Sequence, residues 1–203
     1  GIAGSQEEMD KHLATNDQTH LGSNWTAGDV MYKDLTGNGV VDNGEYTADN
    51  HGDLTIIGNS TPRYNFGLNL DAAWKGFDLK LFFQGTLKRD YMAGSATFWG
   101  ATNQGKWQSL GFKAHSDYWT PENKGAYYPR PSFEQTDRNT KNQTRYLQNA
   151  AYARLKNVTL GYTLPKNLTE KFYVENLRVF VSAENLFTIT NFTDIADPEL
   201  IGA

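Results

Sequence analysis

Residues 63–74 read RYNFGLNLDAAW, and the reading of this stretch decides the fold. In a strand of period two, Tyr64, Phe66, Leu68, Leu70, Ala72 and Trp74 lie on one face; Asn65, Gly67, Asn69, Asp71 and Ala73 lie on the other. One face is apolar and the other is hydrated. The 12 residues slightly exceed the roughly 9–11 that a tilted strand needs to cross a bilayer. A soluble sandwich and a transmembrane barrel use this alternation with the faces swapped, so the direction of the apolar face is the question to answer.

The surrounding chain repeats the pattern. After the pair Lys75-Gly76, Phe77, Leu79, Leu81 and Phe83 alternate with Asp78, Lys80, Phe82 and Gln84 up to Gly85, which predicts a hairpin. A second hairpin is predicted where Val158, Leu160, Tyr162 and Leu164 alternate with Asn157, Thr159, Gly161 and Thr163. Its other arm is Leu177–Ile189, in which Leu177, Val179, Val181 and Ala183 share a face, and its turn region is Pro165–Asn176. The fold class expected is all-β: antiparallel up-and-down strands of part of a transmembrane β-barrel with long outer loops. Residues 1–60 form a polar segment with a short helix over Gln6–Leu13, and residues 61–86 the first hairpin. Residues 87–150 are a long aromatic-rich loop, and 151–203 the second hairpin and the chain end. Short connections flanking one very long one suit a barrel better than a sandwich. Periodicity alone leaves both open.

Composition narrows the function classes. Net charge is −4 with no basic run, which argues against a nucleic-acid surface. Cysteine is absent, so disulfides, thiolate catalysis and Cys-based zinc sites are excluded. Mean hydropathy is −0.63 and no run reaches the roughly 18 apolar residues of a membrane helix, but barrel strands spread their apolar residues thinly. Both chain ends, GIAGSQEEMDKHL and PELIGA, read as cuts inside a longer protein. Asn-x-Ser/Thr triplets at Asn24, Asn59, Asn142, Asn157, Asn167 and Asn191 reflect a chain rich in Asn and Thr, not glycosylation. His20, His51 and His115 are scattered in polar segments, and Asp117 with Glu122 reads as exposed loop charge. No enzyme is expected.

Two stretches carry candidate binding chemistry. Asp34–Glu45 matches a calcium loop: Asp34, Thr36 and Asn38 fall at positions 1, 3 and 5, with Gly39 at the sharp turn. The Val40 carbonyl is at 7, Asp42 at 9 and Glu45 at 12. Oxygen ligands ending in a carboxylate suit Ca²⁺ as a structural staple, and the bland alternative is a metal-free Gly/Asn turn. In the aromatic loop, Trp99, Trp107 and Trp119 are candidates for ligand or partner contact, because aromatic faces stack on sugars and are enriched at protein interfaces. The alternative is that they pack the loop into itself.

GDVMYKDLTGNGVVDNGE at 28–45 and IIGNSTPRYNFGLNLDAAWKGFDLKLFFQG at 56–85 resemble the C-terminal barrel region of the SusC/RagA family of TonB-dependent outer-membrane transporters. YLQNAAYARLKNVTLGYTLP at 146–165 and LRVFVSAENLFTITNF at 177–192 follow in the family's order, so the resemblance runs from about Gly28 to Pro198. It implies that Tyr64, Phe66, Leu68, Leu70 and Trp74 face outer-membrane lipid and that Asn65, Asn69 and Asp71 face a wet lumen. It makes Trp74, Tyr162 and Phe187 candidates for an interfacial aromatic girdle. It further implies import of an oligosaccharide or peptide, a SusD-like surface lipoprotein as partner, and energy from the TonB complex through a plug not visible in these residues. The competing expectation is a soluble calcium-stapled β module that binds carbohydrate at the cell surface.

Overall fold

The computed structural model describes residues 1–100, 111–132 and 137–201. It contains helix α1 (Gln6–Leu13) and strands β1 (Arg63–Trp74), β2 (Phe77–Lys88) and β3 (Asp90–Met92). Helix α2 (Ala96–Trp99), β4 (Leu147–Asn149), β5 (Tyr152–Thr163), helix α3 (Lys166–Thr169) and β6 (Arg178–Thr190) follow. The chain divides into two compact units: residues 1–58 with 92–147, and residues 59–91 with 148–203.

In the second unit, β1, β2, β5 and β6 form one antiparallel sheet in that order. β3 and β4 form a separate two-stranded sheet. The Lys75-Gly76 turn works because both residues take positive φ, +48° and +88°. Register then stacks like on like. Trp74, Phe77, Tyr162 and Val179 lie in one row across the sheet, Ala72, Leu79, Leu160 and Val181 in the next, and Leu70, Leu81, Val158 and Ala183 in the third. The opposite face carries Asp71, Lys80, Thr159 and Ser182, with Asn69, Phe82, Asn157 and Glu184 beside them.

β5 begins at Tyr152, five residues before the alternation detectable in the sequence, because the apolar phase slips between Leu155 and Val158. The register shifts at that place. Phe82 and Phe83 of β2 face Asn157 and Leu155, so Lys156 is an extra residue in β5. β6 adds one more against β5, between Glu184 and Phe187, with Asn185 at φ +52°. These bulges return Leu155 to the apolar face, beside Phe83 and Phe187.

The first unit has its own small core. Ser5 caps α1 by accepting the Glu8 amide at 3.2 Å, while Glu8 reaches back to the Gly4 amide at 2.7 Å. The helix thereby turns Met9 inward, onto Ala3, Leu21, Trp25 and Val41.

Candidate functional site

The sheet is the candidate wall. Its strands of 12 or 13 residues extend about 40 Å at about 3.3 Å per residue, and a tilt of about 45° leaves about 28 Å, close to the thickness of a bilayer core. Leu68, Leu70 and Trp74 are 47%, 46% and 70% exposed, and Phe66 is half-buried. Tyr64 is equally open but sits at φ +58°, off strand geometry. Exposed rows of large apolar side chains on three or more strands are costly in water. The polar face bears a bidentate ion pair: the Arg178 guanidinium donates to both Asp78 oxygens, at 2.9 and 2.5 Å. The pair passes over Gly161, where a Cβ would strike both partners.

Trp74 and Tyr162 of the expected girdle share a row with Phe77, whose ring centroid is 4.5 Å from that of Tyr162. Phe187 lies three rows away, in the Leu68–Phe83–Leu155 row, so it does not belong to that belt.

In the first unit, the two segments that sequence separates meet at a largely buried polar hub. The Asp29 and Arg138 side chains are 0% and 3% exposed and 2.8 Å apart. The Asn139 amide donates to the same carboxylate at 2.9 Å, the Thr26 amide at 2.9 Å, and Arg130 approaches to 3.8 Å. The Asn139 oxygen accepts the Val30 amide at 2.8 Å, and Gln18 donates to the Val30 carbonyl while accepting the Tyr32 amide. Tyr32 Oη donates to the Arg138 carbonyl at 2.7 Å, and burial pushes its ionisation well above the usual range. Sequence reasoning missed this hub, since no local pattern marks contacts over 109 residues.

Where it is described, the aromatic loop packs into itself at Trp99 and onto Gly28 at Trp119. Trp99 is 1% exposed, edge-on to Tyr146 at 4.5 Å and to Phe98 at 5.1 Å. Burial raises the Tyr146 phenol to about 12. Trp119 is 7% exposed and lies over Gly28, where any side chain would collide with its ring. In this conformation neither ring offers a face for ligand or partner, so both act as packing. Trp107 lies outside the described residues.

The Asp34–Glu45 loop is closed by carboxylate–amide bonds. Asp34 accepts the amides of Gly37 and Gly39 at 2.6 and 2.7 Å and the Thr36 hydroxyl at 3.2 Å, and the Gly39 amide chiefly holds its carboxyl below the usual range. Asn38 accepts the Val40 amide and Asp42 the Gly44 amide. Asp53, which the motif does not include, ties Leu35, Thr36 and Asp42 together. Glu45 is exposed. The oxygen types suit Ca²⁺, but among the described residues no three acidic, His or Cys side chains converge as a metal site.

No family model matches the chain. It is 33% identical over 172 residues to TonB-dependent receptor P3 of Formosa agariphila, covering 85% of this chain and 15% of that protein. TonB-dependent receptor P26 of the same organism is 26% identical over 196 residues, 96% of this chain and 18% of its own length. The solved structure of the RagAB peptide transporter superposes with a TM-score of 0.54 at 31% identity, over 76% of this chain and 16% of that one. The chain therefore spans less than a fifth of the length of these relatives. The chain belongs to the SusC/RagA family of TonB-dependent outer-membrane receptors.

Proposed function

We propose that the sheet is a length of barrel wall with its apolar face in lipid and its polar face on the lumen, in a receptor that imports nutrient by TonB-driven transport. The observation that carries this is the set of aligned apolar rows across β1, β2, β5 and β6, open on one face. The folded unit of residues 1–58 and 92–147 would be extracellular and would meet a SusD-like surface lipoprotein. A peptide cargo is supported by the RagAB peptide transporter among the relatives. Sugar stacking loses two of its three candidate rings to packing. The test is cysteine substitution in the full-length receptor at Leu70 and Leu160 on one face and at Asn69 and Thr159 on the other. A membrane-impermeant maleimide is expected to label the second pair and a lipid-soluble one the first; the reverse pattern overturns the orientation.

A separate proposal concerns the Asp34–Glu45 loop, with Ca²⁺ as a structural staple. It is supported by the spacing of the oxygen donors and by Gly39, whose φ of +85° supplies the sharp turn at the sixth position. Asp34, Thr36, Asn38, the Val40 carbonyl, Asp42 and Glu45 would hold the ion, after Glu45 moves inward. Calorimetry on the full-length receptor that shows neither heat nor a melting shift at millimolar Ca²⁺ removes the proposal.

A further inference from the structure

After β6 the chain turns back over the polar face of β5. Phe192 and Ile201 anchor it, burying against Ala150 and Tyr91, with Phe192 edge-on to Tyr91 at 5.8 Å. Between these anchors two carboxylates meet two wall cations. Arg154 donates to Asp197 at 2.7 Å and to Glu199 at 2.6 Å, and Lys156 donates to Glu199 at 3.0 Å. Arg154 is on the polar face, since its Nε donates to Thr188 of the paired strand at 2.6 Å. Lys156, the extra residue of the β5 bulge, lies two residues along the strand from Arg154 and so shares its face.

We infer that residues 191–201 are a releasable strap on the lumenal wall, latched by Asp197 and Glu199 on Arg154 and Lys156. This rests on the polar face being lumenal. The strap's backbone closes local turns, as in the Leu200 amide to the Asp197 carbonyl at 3.1 Å and the Ala196 amide to the Thr193 carbonyl at 3.4 Å. Its apolar anchor is small, with Phe192, Pro198 and Ile201 as its buried side chains. The latch carboxylates remain partly open to water, with Asp197 35% exposed, so salt screens them. A segment held by a small apolar anchor and screened charges sits at the low end of local stability. Release bares Arg154 and Lys156, which the closed strap keeps paired.

The test uses the full-length receptor carrying Ile201→Cys, a position buried in the closed strap. A thiol reagent in detergent solution reads how often the strap opens, whichever way the faces point, so the result is independent of the orientation test above. Slow labelling is expected, accelerating about tenfold in 1 M salt and about tenfold in the isosteric pair Asp197→Asn with Glu199→Gln. Retained barrel mobility of unheated samples in gels establishes that the variant is folded. Rapid labelling of the receptor at low salt overturns the strap. Labelling unchanged by both salt and neutralisation overturns the electrostatic latch.

Discussion

Removing Asp29 should unfold the loop unit far more easily than its surface chemistry suggests. Asp29→Ala leaves the Arg138 guanidinium buried without its counter-charge, and removes the acceptor of the Asn139 and Thr26 donors. Breaking a buried pair by deleting one partner costs about 3–5 kcal/mol, and the extra orphaned donors place this case at about 4 kcal/mol. Arg138 keeps its bonds to the carbonyls of Ser23 and Asn24, both at 2.9 Å. Urea unfolding followed by tryptophan fluorescence reads this unit, because Trp25, Trp99 and Trp119 are all buried within it. With a slope of about 2 kcal/mol per molar, the midpoint should fall by about 2 M. The double variant Asp29→Leu with Arg138→Met removes both charges but orphans those two carbonyls as well as the Asn139 and Thr26 donors, so it should cost about 4 kcal/mol, no more than Asp29→Ala alone. Lys141→Ala breaks the exposed Lys141–Asp137 pair and should cost under about 0.5 kcal/mol. The reasoning fails if Asp29→Ala costs less than about 1 kcal/mol, or if the double variant costs as much as both single ones combined.

Gly161→Val should separate Arg178 from Asp78, lowering the temperature at which the full-length barrel loses its compact gel mobility, with Gly161→Ala doing so less. Deleting Lys156 removes the bulge and turns Leu155 and the residues before it to the opposite face; folded barrel should be absent from membrane fractions, whereas Lys156→Ala should still assemble. The Asp34 carboxyl is held below the usual range by backbone amides, so its contribution is present above about pH 4 and is lost as pH falls through the lowered folded value. Acid titration by NMR should therefore move the Gly37 and Gly39 amides together with the Asp34 carboxyl, and only below about pH 4; movement near neutrality would contradict it.

The parts of the fold that sequence reveals are those whose cause is local. β1 and α1 match their expected bounds residue for residue, one from strict alternation and the other from the Ser5 cap and Glu8. β2 runs three residues past Gly85, to Lys88; Leu87 keeps the apolar phase, but Gly85 interrupts the run of large apolar residues. The first half of β5 is hidden because a bulge compensates a phase break that reads as the end of the pattern. The Asp29 hub is hidden for another reason. Asp29, Arg138 and Asn139 look like ordinary loop residues until distant segments are brought together. Tryptophan content likewise signals that the loop is ordered, but not whether its rings point outward.

The stepped register at Lys156 and Asn185 has a geometric outcome. Over the same height, from the Leu81 row to the Phe83 row, β2 advances two residues, β5 three and β6 four. Neighbouring strands that spend progressively more chain on one interval must lean and bow, so the ribbon acquires curvature and shear. Closing a cylinder requires that stagger. Insertions and deletions should therefore be tolerated in the connections and forbidden within this interval, where a single residue resets the path of every strand that follows.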